Sequence, residues 1–235
     1  MTGPIGVILL AAGRGRRFGS DKRAALLPDG RPLLAHTLDR YQSVFDAIVL
    51  VLRTDDPIPS FVPKALLHDT VTVVQCPDAD LGMGHSLATG AAHAVQAGWG
   101  GAFVALGDMP WVRADTLRAL RATLSALANA DAPVIVQPEL AAPELIQPAS
   151  TQPLPSERAR SDDGRRDSVP ASGALPGHPV GFSAVLLPEL AILRGDAGAR
   201  RVVAVHASSV VRVPVADPGV LADVDRPDQL PRGIP

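Results

Sequence analysis

The feature that most constrains this chain is the run Ile5-Gly6-Val7-Ile8-Leu9-Leu10, which ends in the loop Ala11-Ala12-Gly13-Arg14-Gly15. A continuous apolar run without polar alternation reads as a strand buried on both faces, hence a strand of a parallel sheet. Further apolar runs recur at Ala47–Leu52, Val71–Val74, Ala102–Leu106, Pro133–Val136 and Val210–Val215. Between them lie stretches with helical spacing. Pro32 opens one whose apolar face is Leu33, Leu34, Leu38, Tyr41 and Phe45. Others are read at Gly84–Gln96, beginning near Ser86, and at Ala114–Ala128, Leu186–Leu193 and Ala197–Val205. Strand alternating with helix predicts an α/β fold, a three-layer α/β/α sandwich around a mostly parallel, Rossmann-like sheet.

A chain of 235 residues fits one such domain, read as 1–235. Its hydrophobic fraction is 46% but aromatics are only 3%, so Ala, Val, Leu and Ile must fill the core. From 139 to 176 the periodicity stops in favour of Pro, Ser, Ala and mixed charge. Such a composition buries too little apolar surface to offset its ordering entropy, so a flexible insertion is expected there. The net charge of −2 argues against a nucleic-acid partner. The single Cys76 excludes an internal disulfide and a cysteine-based zinc cage, and is read as a packing residue. The apolar run Ile5–Ala12 precedes its arginines instead of following them, unlike a signal peptide, and no stretch is long enough to span a bilayer. The expectation is a cytoplasmic protein without a membrane partner.

Loops at the carboxyl ends of parallel strands are where such sheets bind ligands. Here Gly13, Gly15 and Gly19 allow close backbone approach, and exposed amides of Leu10, Ala11, Ala12, Gly13, Arg14 and Gly15 are candidates to cradle phosphate oxygens. Arg17 and Lys22 supply the cations that a triphosphate requires. Gly19-Ser20-Asp21-Lys22 does not end as a P-loop must, and Phe18 occupies the place of the third glycine of a dinucleotide fingerprint. A second candidate is Gly107-Asp108-Met109-Pro110, which follows a buried strand and aims Asp108 at the same sheet edge. One carboxylate there suits Mg²⁺ shared with phosphate oxygens. Read alone, Asp108 serves equally as a cap of backbone amides.

The loop resembles the Leu-Ala-Ala-Gly-x-Ser/Gly-x-Arg-x-Gly-x-x-Lys signature of the GT-A-like nucleotidyltransferases, with Arg17, Gly19 and Lys22 on the motif positions. Gly-Asp-Met-Pro at Asp108 is similar to the molybdenum cofactor cytidylyltransferase family. So are Gly82-Met83-Gly84-His85-Ser86-Leu87, Gly177-His178-Pro179-Val180, Gly195-Asp196-Ala197-Gly198-Ala199-Arg200 and Asp223-Val224-Asp225-Arg226-Pro227-Asp228. Arg226 stands where that family carries Thr.

The resemblance implies transfer of CMP from CTP to the terminal phosphate of the molybdopterin (molybdenum) cofactor, with Mg²⁺ as cofactor. Arg17, Lys22 and Asp108 would then be catalytic, Asp108 and Asp225 metal ligands, and a molybdenum hydroxylase the client. Ala12 is similar to the cytidylyl form, where guanylyl relatives using GTP often carry Gly. Two further readings stay open: transfer to a different phosphorylated acceptor, and a non-catalytic carrier of the cofactor. Several residues also keep two readings. His178 contacts the acceptor or caps a turn, and Asp196 positions the acceptor or starts a helix. Ser86 belongs to the nucleotide site or caps its helix, and Asp223 serves the metal beside Asp225 or is only a turn acid.

Overall fold

The computed structural model describes residues 3–15, 18–56, 61–128, 132–140 and 175–230. Its strands are β1 (Ile5–Leu10), β2 (Ile48–Arg53), β3 (Val71–Cys76), β4 (Gly101–Leu106), β5 (Ile135–Leu140), β6 (Leu175–Pro176), β7 (Val180–Ser183) and β8 (Val210–Val215). The α-helices are α1 (Leu33–Gln42), α2 (Met83–Gln96), α3 (Ala114–Leu127), α4 (Leu187–Ala191) and α5 (Arg200–Val205). The strands form one sheet in the order β3-β2-β1-β4-β7-β5-β6, with β8 also paired to β5. The pairs of β1 with β2 and β4, of β2 with β3, and of β5 with β8 are parallel.

The expected mostly parallel α/β sandwich is therefore present, with one refinement. Strand β7 lies between β4 and β5 and runs antiparallel to both. Its four residues Val180-Gly181-Phe182-Ser183 are all buried and too few to show a period. Gly181 is there because Phe103 lies across it: a Cβ would stand 2.5 Å from the Phe103 ring.

Why the chain layers in this way follows from the alternation of side chains along the central strands. Val7 and Leu9 of β1 point to one face, where Leu34, Leu38 and Tyr41 of α1 and Leu117, Leu120 and Leu124 of α3 cover them. Ile8 and Leu10 point to the other, under Leu87, Ala91 and Ala94 of α2 and Leu187 and Leu190 of α4. Small residues on α2 let it lie close to the sheet. At Gly90 a Cβ would meet Ile8 Cγ2 at 2.4 Å and Val51 Cγ2 at 2.9 Å. Alanine at position 90 would gain about 1 kcal/mol of helix propensity but incur about 1–3 kcal/mol of overpacking. Gly90→Ala is thus expected to lower stability in urea unfolding; a more stable variant would show that α2 can lift off without loss.

Boundaries differ from the sequence reading in places, two of which bear on its expectations. Helix α2 begins at Met83, not near Ser86, because Gly82 takes φ 121° and ends the preceding turn there. Ser86 is consequently a buried residue inside the helix and not its cap. The edges of the expected insertion at 139–176 are ordered: Glu139 pairs with Pro176 and Leu140 with Leu175. The rest of that segment, 141–174, lies outside the described residues, as does the candidate Arg17. Among the described residues no helix is long and apolar enough to cross a membrane.

Candidate active site

The carboxyl ends of β1 and β4 open into a cleft of about 440 Å³. Its walls include Leu10, Ala11, Ala12, Gly13 and Gly15 from the loop after β1, and Gly107 and Asp108 after β4. Lys22, Ser86, Met83, Asp223 and Asp225 complete it from other parts of the chain. Residues as far apart in sequence as Leu10 and Asp225 are thus gathered at one sheet edge.

At the floor of the cleft Lys22 lies between acids. Its Nζ donates to Asp108 Oδ2 at 2.5 Å, to Asp225 Oδ1 at 3.3 Å and to the Val224 carbonyl at 3.1 Å. Burial by itself would lower the pKa of this ammonium, but Asp108 and then Asp225 outweigh it and hold the value above that of an ordinary lysine. Lys22 therefore stays charged throughout the neutral range. The segment carrying Asp225 is pinned to β4, because the Val224 amide donates to the Asp108 carbonyl at 3.0 Å. Upstream, buried Asp217 accepts from the Arg113 and Gly219 amides and from Thr116 Oγ1, tying the same segment to the start of α3.

One atom of this cluster has no partner among the described residues. Asp108 Oδ1 is buried and accepts no hydrogen bond among the described residues. A buried carboxylate oxygen without a donor is costly unless something else satisfies it. Mg²⁺ bound with phosphates needs only one or two protein carboxylates, the remaining ligands being phosphate and water oxygens. Asp108, with Asp225 on the same lysine, fits such an ion. It does not fit an all-protein cage, since no group of three or more His, Cys, Asp or Glu among the described residues is placed to hold a metal.

The glycine loop is held from behind by ion pairs that the sequence did not reveal. Arg23, 4% exposed, donates to the Ala11 carbonyl at 2.8 Å and to both oxygens of Asp56 at 2.5 and 2.7 Å. It also pairs with Asp21 and stacks over Phe61, 4.4 Å from the ring centre. Asp56 in turn accepts from the Arg53 amide and forms an ion pair with its guanidinium, and Arg53 Nη1 reaches the Gly13 carbonyl at 3.2 Å. The loop carbonyls are thereby turned inward to Arg23 and Arg53.

Not every residue expected in the site is found there. Arg14 does not line the cleft; its guanidinium turns outward to Asp80. Asp196 is exposed, and its Oδ1 lies 2.4 Å from where a Gly82 Cβ would be, beside the first turn of α2. His178 does not line the cleft, and its Nδ1 is buried without a partner among the described residues. Burial lowers its pKa, so the ring is neutral at pH 7, with Asp108, Asp223 and Arg200 close enough to act on it. Asp223, for which the sequence left a metal role and a turn role open, lines the cleft.

A glycine loop and paired acids at the carboxyl edge of a parallel sheet, closed by a partly buried lysine, define an α/β enzyme of the nucleotide-binding class. Residues 7–211 match the MobA-like NTP transferase domain, and the chain belongs to that family. It is a family of nucleotidyltransferases. The chain is 37% identical over 138 residues to the bifunctional protein GlmU of Sphingopyxis alaskensis, covering 58% of this chain and 29% of GlmU. It thus spans under a third of the length of that relative. Over 94% of its own length and 92% of the other's, it is 26% identical to the purine catabolism protein PucB of Bacillus subtilis. The crystal structure of Rv0371c from Mycobacterium tuberculosis superposes with a TM-score of 0.66 at 25% identity, covering 97% of this chain and 96% of that one. Rv0371c has also been crystallised in complex with manganese.

Proposed function

We propose that the protein transfers CMP from CTP to the terminal phosphate of the molybdenum cofactor and releases pyrophosphate. The observation that carries this reading is the clasp of Lys22 between Asp108 and Asp225 at the end of the glycine loop. The loop amides from Leu10 to Gly15 receive the triphosphate, with Arg17 and Lys22 neutralising its charge. Ser86, buried in the first turns of α2, faces the same space. Asp108 and Asp225 would hold Mg²⁺, which supplies charge neutralisation on the phosphate oxygens.

An acceptor phosphate oxygen attacks the α-phosphorus of CTP in line. The new P–O bond forms as the bond to the bridging oxygen of the β-phosphate breaks, and pyrophosphate carries away the electron pair. The attacking oxygen is already anionic, so no general base is required. The work of the site is alignment and electrostatics. His178 and Asp196 are assigned to the acceptor side, and delivery of the product to a molybdenum hydroxylase in the cytoplasm follows from the same resemblance.

The test is Mg²⁺-dependent pyrophosphate release with each of the four nucleoside triphosphates and molybdenum cofactor. CTP is expected to support release well above GTP. A preference for GTP would make the protein a guanylyltransferase, and binding without release would make it a carrier.

A further inference from the structure

We propose that the ion pair between Arg14 and Asp80 is a latch that holds the outer rim of the cleft closed and thereby positions the nucleotide. This rests on reading the cleft as the nucleotide site. Arg14 lies in the loop after β1 between Gly13 and Gly15, both of which line the cleft. Asp80 lies in the 3₁₀ turn Ala79–Leu81 that leads into α2, next to the lining residue Ala79. The pair therefore joins two walls of the cleft at their outer edge. It does so fork to fork, Nε to Oδ1 and Nη2 to Oδ2, each at 2.5 Å. That geometry fixes direction as well as distance.

The latch is the outer end of a longer structure. Arg14 also reaches Asp55 at 3.8 Å, Asp55 pairs with Arg53 at 3.1 Å, and Arg53 pairs with Asp56 at 2.7 Å. Asp56 pairs with Arg23 at 2.5 Å, and Arg23 with Asp21 at 2.6 Å. Charges thus alternate in sign from Asp80 to Asp21, linking the loops after β1, β2 and β3 to the turn that carries Lys22. At the Arg23 and Asp56 end both side chains are buried, whereas Arg14 and Asp80 are about half exposed. Salt screens the exposed pair far more than the buried one, so the chain has a fixed inner end and an outer end able to open. In this proposal a nucleotide enters past Ala79 and Gly13 as the outer end parts, and closure of the pair then holds the ligand against the loop.

The experiment uses the full chain with Arg14→Asp, Asp80→Arg, Asp80→Ala and the exchanged double variant. Each single variant is expected to weaken Mg·CTP binding in calorimetry by roughly three- to tenfold, the upper range for an exposed pair with the added repulsion of reversal. The double exchange should recover most of the loss. In the ligand-free protein, hydrogen exchange of the Leu81 and Gly82 amides, bonded to the Asp78 and Ala79 carbonyls, should rise in the single variants and return in the double. Unchanged exchange in the single variants, or a double exchange no better than either, overturns the latch. Tighter CTP binding by Asp80→Ala also overturns it, since Arg14 would then be a phosphate ligand restrained by Asp80. Should exchange follow the expected order while none of the four triphosphates binds the unaltered protein, the rim contact stands and the nucleotide reading fails.

Discussion

Asp56→Ala is expected to lower the stability of the fold by about 3–5 kcal/mol, the range for removing one partner of a buried ion pair. Against a typical domain stability of about 5–15 kcal/mol, that is a large share. The size follows from what is left behind. Arg23 is 4% exposed and gives two of its hydrogen bonds to Asp56. Its remaining partners are the Ala11 carbonyl and Asp21, whose side chain is 40% exposed and so compensates a buried charge less well. The Arg53 amide would lose its acceptor as well. Denaturant unfolding measures the effect, and a loss under about 1 kcal/mol would show that Arg23 reaches water at little cost. A second variant separates charge from space. Arg23→Met with Asp56→Leu removes both charges, and should be far closer to the natural protein in stability than Asp56→Ala. It should nevertheless bind nucleotide poorly, because nothing then holds the Ala11 carbonyl.

This network also shows where the sequence stops being readable. The glycine loop and Asp108 were legible because each follows a buried strand, and the end of a parallel strand has one place to be. The core face of α1 was legible from helical spacing for the same kind of reason: Leu34, Leu38 and Tyr41 repeat at the period of the element that buries them. Arg23 and Asp56 are 33 residues apart, with no period and no motif to join them, and they meet only when β1 and β2 pair in register. Arg14 was expected to offer its backbone amide to phosphate, and its side-chain direction was not legible. That direction depends on the acid across the rim, Asp80, contributed by a turn 66 residues away. Of the two readings of Ser86, the cap fails because the φ of 121° at Gly82 sets the helix start earlier and draws Ser86 inside. The antiparallel β7 was hidden because four residues carry too little pattern.

The largest effect on activity is expected at Lys22. Lys22→Ala should reduce pyrophosphate release by about 10²–10³-fold, the cost of removing one preorganised group that stabilises developing charge. Most of that loss should fall on kcat, because an electrostatic contact that strengthens as charge builds on the leaving pyrophosphate acts on the transition state more than on the bound triphosphate. Lys22→Arg should rescue poorly. The ammonium is 13% exposed and divides its donors among Asp108, Asp225 and the Val224 carbonyl, a three-way geometry that a planar guanidinium cannot reproduce. The acids supply an independent readout. With Lys22 gone, Asp108 and Asp225 lose a cation they share, so the ligand-free variant should bind Mg²⁺ or Mn²⁺ more tightly than the natural protein, even as transfer collapses. Titration calorimetry with the metal alone measures this. Weaker metal binding in Lys22→Ala would mean that the lysine builds the carboxylate site instead of competing for it. A loss confined to KM would reduce Lys22 to a binding contact. The combination of tighter metal binding and a collapsed kcat is the one that a charge-neutralising lysine requires.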